Sequence, residues 1–203
     1  MKQRTLSRQH WIMVLATLAA CAWTSLGQQA SGNQQPAPAA TPAQLKEYPT
    51  TQVDTLVREW TRAKNYTREY LDAMPEDGFG FKPTPEVRSF ADQMLHLAAA
   101  NFSFVALALG VENPYKGKDF SKMDEFKTKA AVTKLVMESY DFTVNLIKSA
   151  GEVKLNERIA MGGMNRPRLS FIAAGFEHQT HHRGQTTLYL RLKGVTPPQE
   201  KLF

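Results

Sequence analysis

Apolar residues recur at steps of three and four along most of the chain after residue 50, a spacing that predicts amphipathic helices. A first helix is predicted over residues 53–74, and Pro75 then opens a loop rich in glycine and proline. A second helix is predicted over residues 89–109, because Ser89 is a suitable N-cap and Gly110 a suitable stop.

Two further helices are predicted in the second half of the chain. The third is expected to begin after Ser121 and to close at Gly151. The fourth is expected to start near residues 166–168, whose proline is tolerable in a first turn, and to continue to about Lys193. No run of alternating strands is evident, so the pattern favours an all-α fold, a four-helix bundle.

The N-terminal segment has the features of a secretory signal peptide, predicted over residues 1–27. Three basic residues precede an apolar run at positions 11–22 that is too short to span a membrane in the mature protein. We therefore expect an exported protein, periplasmic or at the cell surface. Ordinary cleavage and lipidation of Cys21, which ends a lipobox-like segment, remain alternatives, and a lipid on Cys21 would be its only evident membrane anchor.

Composition separates a linker from one folded domain. Residues 28–49 are rich in Gln, Ala and Pro and are predicted to be a flexible linker, which leaves residues 50–203 as a single domain without cysteine. The net charge is +6, but without the three basic residues of the signal 22 basic and 19 acidic residues remain. This balance is typical of mixed helix surfaces, and we expect no nucleic acid as a partner.

Histidines outside the signal are confined to two places, His96 and the cluster His178, His181 and His182. Side chains four residues apart on a helix point only about 40° apart, so His178 and His182 can bind one ion, and His96 can supply a third imidazole. Three imidazoles leave a coordination position open, as in catalytic sites. The predicted cofactor is a divalent metal, with zinc as the default and nickel, iron or manganese as alternatives.

Several neighbours of these histidines have more than one candidate role. His181 is expected at the rim of the site, because it also lies near the face of His178. Gln185 shares that face and is a candidate to hold a water or an imidazole, or else a buried structural residue. Asp92 either orients His96 or interacts favourably with the N-terminus of its helix, and we favour the second. Gly184 is expected to allow close helix packing, with access to the site as the alternative.

Three segments resemble the DinB superfamily: residues 94–101, residues 177–185 (EHQTHHRGQ) and residues 189–198. The resemblance extends over residues 51–198. It implies a four-helix bundle with a divalent metal on His96, His178 and His182, and relatives that transfer low-molecular-weight thiols or use them in isomerisation. It does not imply DNA binding.

Two functions are compatible with these features. The first is a metal-dependent hydrolase or group transferase, with a small-molecule substrate and, in one version, a low-molecular-weight thiol. Export disfavours the thiol version unless a thiol is available outside the cytoplasm. The alternative is a non-catalytic module that binds a metal or a small ligand. No catalytic acid or base is evident, and the oligomeric state is open, with a homodimer as one option.

Overall fold

Four helices and one hairpin make up most of the structure, a computed structural model that describes residues 47–49, 51–126 and 128–202. The elements are α1 (Gln52–Ala73), α2 (Phe90–Leu109), α3 (Lys129–Asn156), β1 (Arg158–Met161), β2 (Met164–Pro167) and α4 (Arg168–Leu192). The four predicted helices are thus confirmed. The predicted signal peptide with Cys21, and all of the linker except residues 47–49, lie outside the described residues.

The helices surround one apolar core. α2 packs between α3 and α4, and α1 packs mainly on α3. Trp60 of α1 is buried at the centre, where its ring meets the edges of Tyr140 from α3 and Phe176 from α4. None of the helices in the described part of the chain combines the length and apolarity needed to cross a membrane.

The ends of α2 follow the sequence signals closely. The predicted N-cap is confirmed: Ser89 Oγ accepts from the backbone N–H of Asp92 at 3.0 Å, and the Asp92 carboxylate accepts from the Ser89 backbone N–H, which makes a capping box. The helix ends at the C-cap Gly110, whose φ of 70° lies in the left-handed region that glycine adopts without strain. α2 is therefore fixed at both ends, and His96 lies in its second turn.

The third helix differs from the prediction at both ends. Residues 120–122 and 124–126 form two short 3₁₀ helices instead of the start of α3, because Asp119 accepts from the backbone N–H of Ser121 and closes the first of them. α3 begins only at Lys129, after the N-cap Thr128. Gly151, the predicted end, does interrupt the helix with a φ of 70°, but helical turns resume and continue to Asn156.

The hairpin between α3 and α4 is an element that the apolar pattern does not predict. β1 and β2 pair antiparallel around Gly162 and Gly163, with φ values of 56° and 76° that suit a two-residue hairpin turn. Their side chains are mostly exposed or half-buried, so the strands have no strong apolar alternation. Pro167 ends β2 and is the N-cap of α4, one residue before the first turn in which it was expected.

Gly175 is the glycine of α4 that packs closely against a neighbouring helix, whereas close packing was predicted at Gly184. A Cβ on Gly175 would lie 2.9 Å from Cβ of Phe104 on α2, which is too close for any side chain. Gly184 is exposed, and nothing would lie within 4 Å of its Cβ. Gly175 is one turn before His178, so the contact that it permits brings the two histidine-bearing helices together.

Candidate metal centre

Three histidines from two antiparallel helices converge on the seam between α2 and α4. One ring nitrogen from each of His96, His178 and His182 lies within 4.8 Å of the others. The ring centroids are 4.4 Å apart for His178 and His182, 4.5 Å for His96 and His182, and 5.0 Å for His96 and His178. Because His178 and His182 are one turn apart on α4, both rings face His96 across the seam.

The spacing of these nitrogens is slightly wider than that of a bound ligand set. Three nitrogens about 2.1 Å from a tetrahedral ion are about 3.4 Å from one another. Rotating a histidine about its Cα–Cβ bond by about 20° moves its outer ring nitrogen by about 1 Å, within the ordinary spread of a rotamer. The backbone placement of the three residues is thus compatible with one ion.

Electrostatics keep the three rings neutral. Burial lowers the pKa of His96 and of His178, and burial with the neighbouring imidazoles lowers the pKa of His182 to about 4. The positive charge of Arg88 contributes to the lowering of the pKa at all three rings. Neutral imidazoles are the form that ligates metals, so no proton has to leave these rings near pH 7.

A chain of hydrogen bonds fixes the orientation and tautomer of His182. The Tyr189 hydroxyl donates its only proton to the Arg88 carbonyl at 2.8 Å, so it accepts from Nε2 of Gln93 at 3.3 Å. Oε1 of Gln93 then accepts from Nδ1 of His182 at 2.8 Å. With its proton on Nδ1, His182 has a free lone pair on Nε2, the arrangement usual for a ligating histidine.

His178 contributes a second sign of a ligand site. Its Nδ1 is buried and has no hydrogen-bond partner in the described part of the protein. A buried polar atom without a partner costs free energy, and native proteins retain few of them. Together with three neutral imidazoles and no carboxylate, this donor set fits a divalent ion with affinity for nitrogen ligands, such as zinc or nickel.

The structure places the other candidate residues around the cluster rather than in it. His181 is exposed, and its ring centroid is 5.0 Å from that of His182. Gln185 lies against His181, with 2.8 Å between the two Nε2 atoms, and makes no hydrogen bond to the three converging rings. Asp92 belongs to the capping box of α2, and its carboxylate accepts from Ser89 Oγ at 2.7 Å.

Gln93, Tyr189 and Arg88 are the residues that sequence reasoning missed. Gln93 is three residues before His96, so it shares the inward face of α2, and this spacing was the available signal. Its role could not be derived, since it depends on which residue of α4 lies opposite. Tyr189 is seven residues after His182 and fits the apolar stripe as an ordinary core residue.

The fold and the cluster define a class: a four-helix-bundle protein with three histidines of metal-ligating type between two of its helices. The model of the DinB family matches residues 48–202, so the chain belongs to the DinB family. This confirms the resemblance seen in the sequence. No curated protein is similar enough to count as a match.

Solved structures have a similar fold. A DinB-like protein from Bacillus cereus ATCC 10987 has a TM-score of 0.63 at 19% identity, over 73% of this chain and 97% of its own. A DinB-like protein from Bacillus subtilis has a TM-score of 0.59 at 20% identity, over 71% and 95%. A conserved protein from Enterococcus faecalis has a TM-score of 0.53 at 16% identity, over 71% and 98%. These identities establish the fold alone.

Proposed function

We propose that this protein is an exported metal-dependent hydrolase or group transferase, with His96, His178 and His182 as the ligands of a divalent ion. The observation that supports this most strongly is the convergence of three neutral imidazoles, one of which has its tautomer fixed by Gln93. A divalent ion held by such a set supplies Lewis acidity and lowers the pKa of a bound water to about 7.

The residues of the chain have distinct tasks in this proposal. The three histidines hold the ion, and Gln93 orients His182 through its Nδ1–H. His182 is buried and His96 and His178 are half-buried, and a cavity of about 470 Å³ opens next to His96. A substrate would enter through this cavity, and its chemistry would be hydrolysis or the transfer of a group, with a thiol as one acceptor.

One observation favours a second function, a non-catalytic metal-binding or small-ligand-binding module. No carboxylate in the described part of the chain makes a hydrogen bond or an ion pair with the three rings, and the nearby Asp92 is bonded to Ser89. General acid–base catalysis requires a group within hydrogen-bond reach of the reacting proton. A protein that only retains a metal or a ligand does not need one.

Turnover and metal retention separate these two functions. Purified protein would first be assayed for bound metal, then screened against activated esters, amides and thiol acceptors, with and without EDTA. We expect slow turnover that EDTA abolishes, that a divalent ion restores, and that His178→Ala lacks even in excess metal. Stoichiometric metal without turnover across the panel would favour the binding module, and a protein that retains no metal would refute both metal-based functions.

Export is part of the proposal and has its own test. The features of residues 1–27 support it. Fractionation of the native host should recover a shortened protein outside the cytoplasm. Cys21→Ala should release the protein from the membrane fraction if Cys21 is lipidated, and should leave its distribution and mass unchanged if ordinary cleavage occurs. Full-length protein in the cytosol would contradict export.

A further inference from the structure

The cavity next to His96 is lined by charged residues of both signs. It lies between the segment that precedes α2 and the loop that follows it, and His96 is part of its lining. Six charged residues also line it: Lys82, Arg88, Lys118, Glu86, Asp92 and Asp119. Equal numbers of each sign would suggest a neutral surface, but the hydrogen bonds and ion pairs of the two groups differ.

Each of the three acids is occupied by a local partner. Asp119 pairs with Lys122 at 2.9 Å, outside the cavity lining, and Lys122 lowers the pKa of that carboxyl to about 2. Asp92 caps α2, where the helix N-terminus offsets its charge. The Thr84 hydroxyl beside Glu86 lowers the pKa of that carboxyl. The acids therefore have interactions of their own and are not held by the cations of the cavity.

The cations differ, because none of them is paired with an acid in the described part of the chain. The side chains of Lys82 and Arg88 take part in no ion pair there, and Lys118 only approaches the ring of Tyr115, with Nζ 5.8 Å from its centroid. The Tyr189 hydroxyl donates a hydrogen bond to the Arg88 carbonyl. The backbone from which the Arg88 side chain extends is therefore fixed.

We infer that this cavity binds the anionic group of a small substrate, held mainly by Arg88 with Lys82 and Lys118 in support, next to the metal. The inference rests on the proposed function, because the reacting end of the substrate would lie at His96, His178 and His182. A neutral histidine set leaves an ion its full positive charge, which adds to the attraction. A planar guanidinium suits a carboxylate or a phosphate group, and a cavity of about 470 Å³ admits a small metabolite.

Mercaptopropionate and its neutral amide test the inference. Both thiols should bind the cobalt(II)-loaded full-length protein and produce a sulfur-to-cobalt charge-transfer band, whose titration gives the two dissociation constants. We expect the acid to bind about 10-fold more tightly than the amide at low ionic strength, as a charge-assisted interaction would give, and this preference to shrink in high salt. Equal affinity for acid and amide would overturn the inference while leaving the metal site intact.

Variants locate the preference. Arg88→Gln should reduce the affinity for the acid about fivefold and leave the affinity for the amide unchanged, because it keeps the backbone carbonyl that Tyr189 uses. Two control variants should change neither affinity. Arg166→Gln alters an exposed arginine of β2, and Lys116→Gln is the control for Lys118→Gln in the same loop. If Arg166→Gln lowered the affinity for the acid as much as Arg88→Gln does, overall charge would be the cause, and the inference would be wrong.

Two outcomes remain to be separated. Sodium acetate and sodium phosphate, added at constant ionic strength, should displace the acid, and the stronger competitor identifies the anionic group that the cavity prefers. Competition by neither would overturn the inference. Failure of the protein to retain cobalt(II) would refute the metal site and, with it, the inference that rests on it.

Discussion

Replacing Gln93 by leucine tests whether the hydrogen-bond chain behind His182 prepares the metal site. Oε1 of Gln93 accepts from Nδ1 of His182 at 2.8 Å, and both residues are buried, with 6% and 7% of their surfaces exposed. Water cannot easily replace the lost acceptor at such a site. The leucine would leave the Nδ1–H of His182 unpaired and would no longer fix its tautomer.

Two magnitudes follow from this contact. Loss of the partner of a ligating histidine typically lowers metal affinity about 10- to 100-fold, which corresponds to about 1.4 to 2.7 kcal/mol. The metal-free protein should also lose about 1 to 3 kcal/mol in its free energy of unfolding, because a buried donor has no acceptor. Tyr189 keeps its hydrogen bond to the Arg88 carbonyl, so that part of the hydrogen-bond chain remains in the variant.

Competition with a chromophoric chelator measures the zinc affinity, and urea unfolding of the metal-free protein measures the stability. Gln93→Glu is the matched variant that keeps an acceptor, and it should retain zinc at least as well as the wild type. Gln185→Leu is the second control, since its amide contacts His181 and not the three converging rings. If Gln93→Leu bound zinc with an affinity within about twofold of the wild type, the hydrogen bond from His182 to Gln93 would not contribute to metal binding.

Three other predictions concern the site and the seam. His182→Ala should abolish metal retention, measured by elemental analysis after dialysis, whereas His181→Ala should leave most of it; equal losses would show that the ligands are wrongly assigned. The pKa of His182 is about 4 in the fold against 6.5 for an ordinary histidine, so the unfolded chain binds its proton first as the pH falls. The metal-free protein should therefore lose up to about 3 kcal/mol between about pH 6.5 and 4, more than His182→Gln loses over the same range in urea unfolding, and parallel curves would contradict this. Gly175→Ala should destabilise the fold by about 1 to 3 kcal/mol in thermal unfolding because its Cβ would meet Phe104, whereas Gly184→Ala should stabilise it by about 0.5 to 1 kcal/mol; similar effects would show that the seam is not tight.

The helices could be predicted because their apolar residues have helical spacing and their ends have recognisable caps. Ser89 and Gly110 marked both ends of α2 correctly. The start of α3 could not be placed in this way, because the apolar residues before Thr128 also fit a helical period, while side-chain hydrogen bonds there favour short 3₁₀ helices. The hairpin was not predicted because few of its side chains are buried, although the Gly162–Gly163 pair was a signal for its turn.

The candidate site could be predicted from the sequence only where it depends on spacing within one helix. His178 and His182 share a face because they are four residues apart, and that relation holds for any helix. The pairing of Gln93 with His182 instead depends on the register between α2 and α4. That register depends on contacts such as the one between Gly175 and Phe104, which involve residues distant in sequence. Local patterns contain no information on such a contact.

The position of the histidines on two different helices has a consequence for the durability of the fold. His96 and His178 are roughly eighty residues apart in sequence, and the only cysteine of the chain is Cys21, so a bound ion would be the one strong cross-link available to the domain. Closing so long a loop restricts the unfolded chain, much as a disulfide does. An ion at 100 times its dissociation constant would add about 2.7 kcal/mol to the free energy of unfolding. At the proposed location outside the cytoplasm, the supply of metal would then set how long the protein resists proteolysis, and chelation would loosen the contact between α2 and α4.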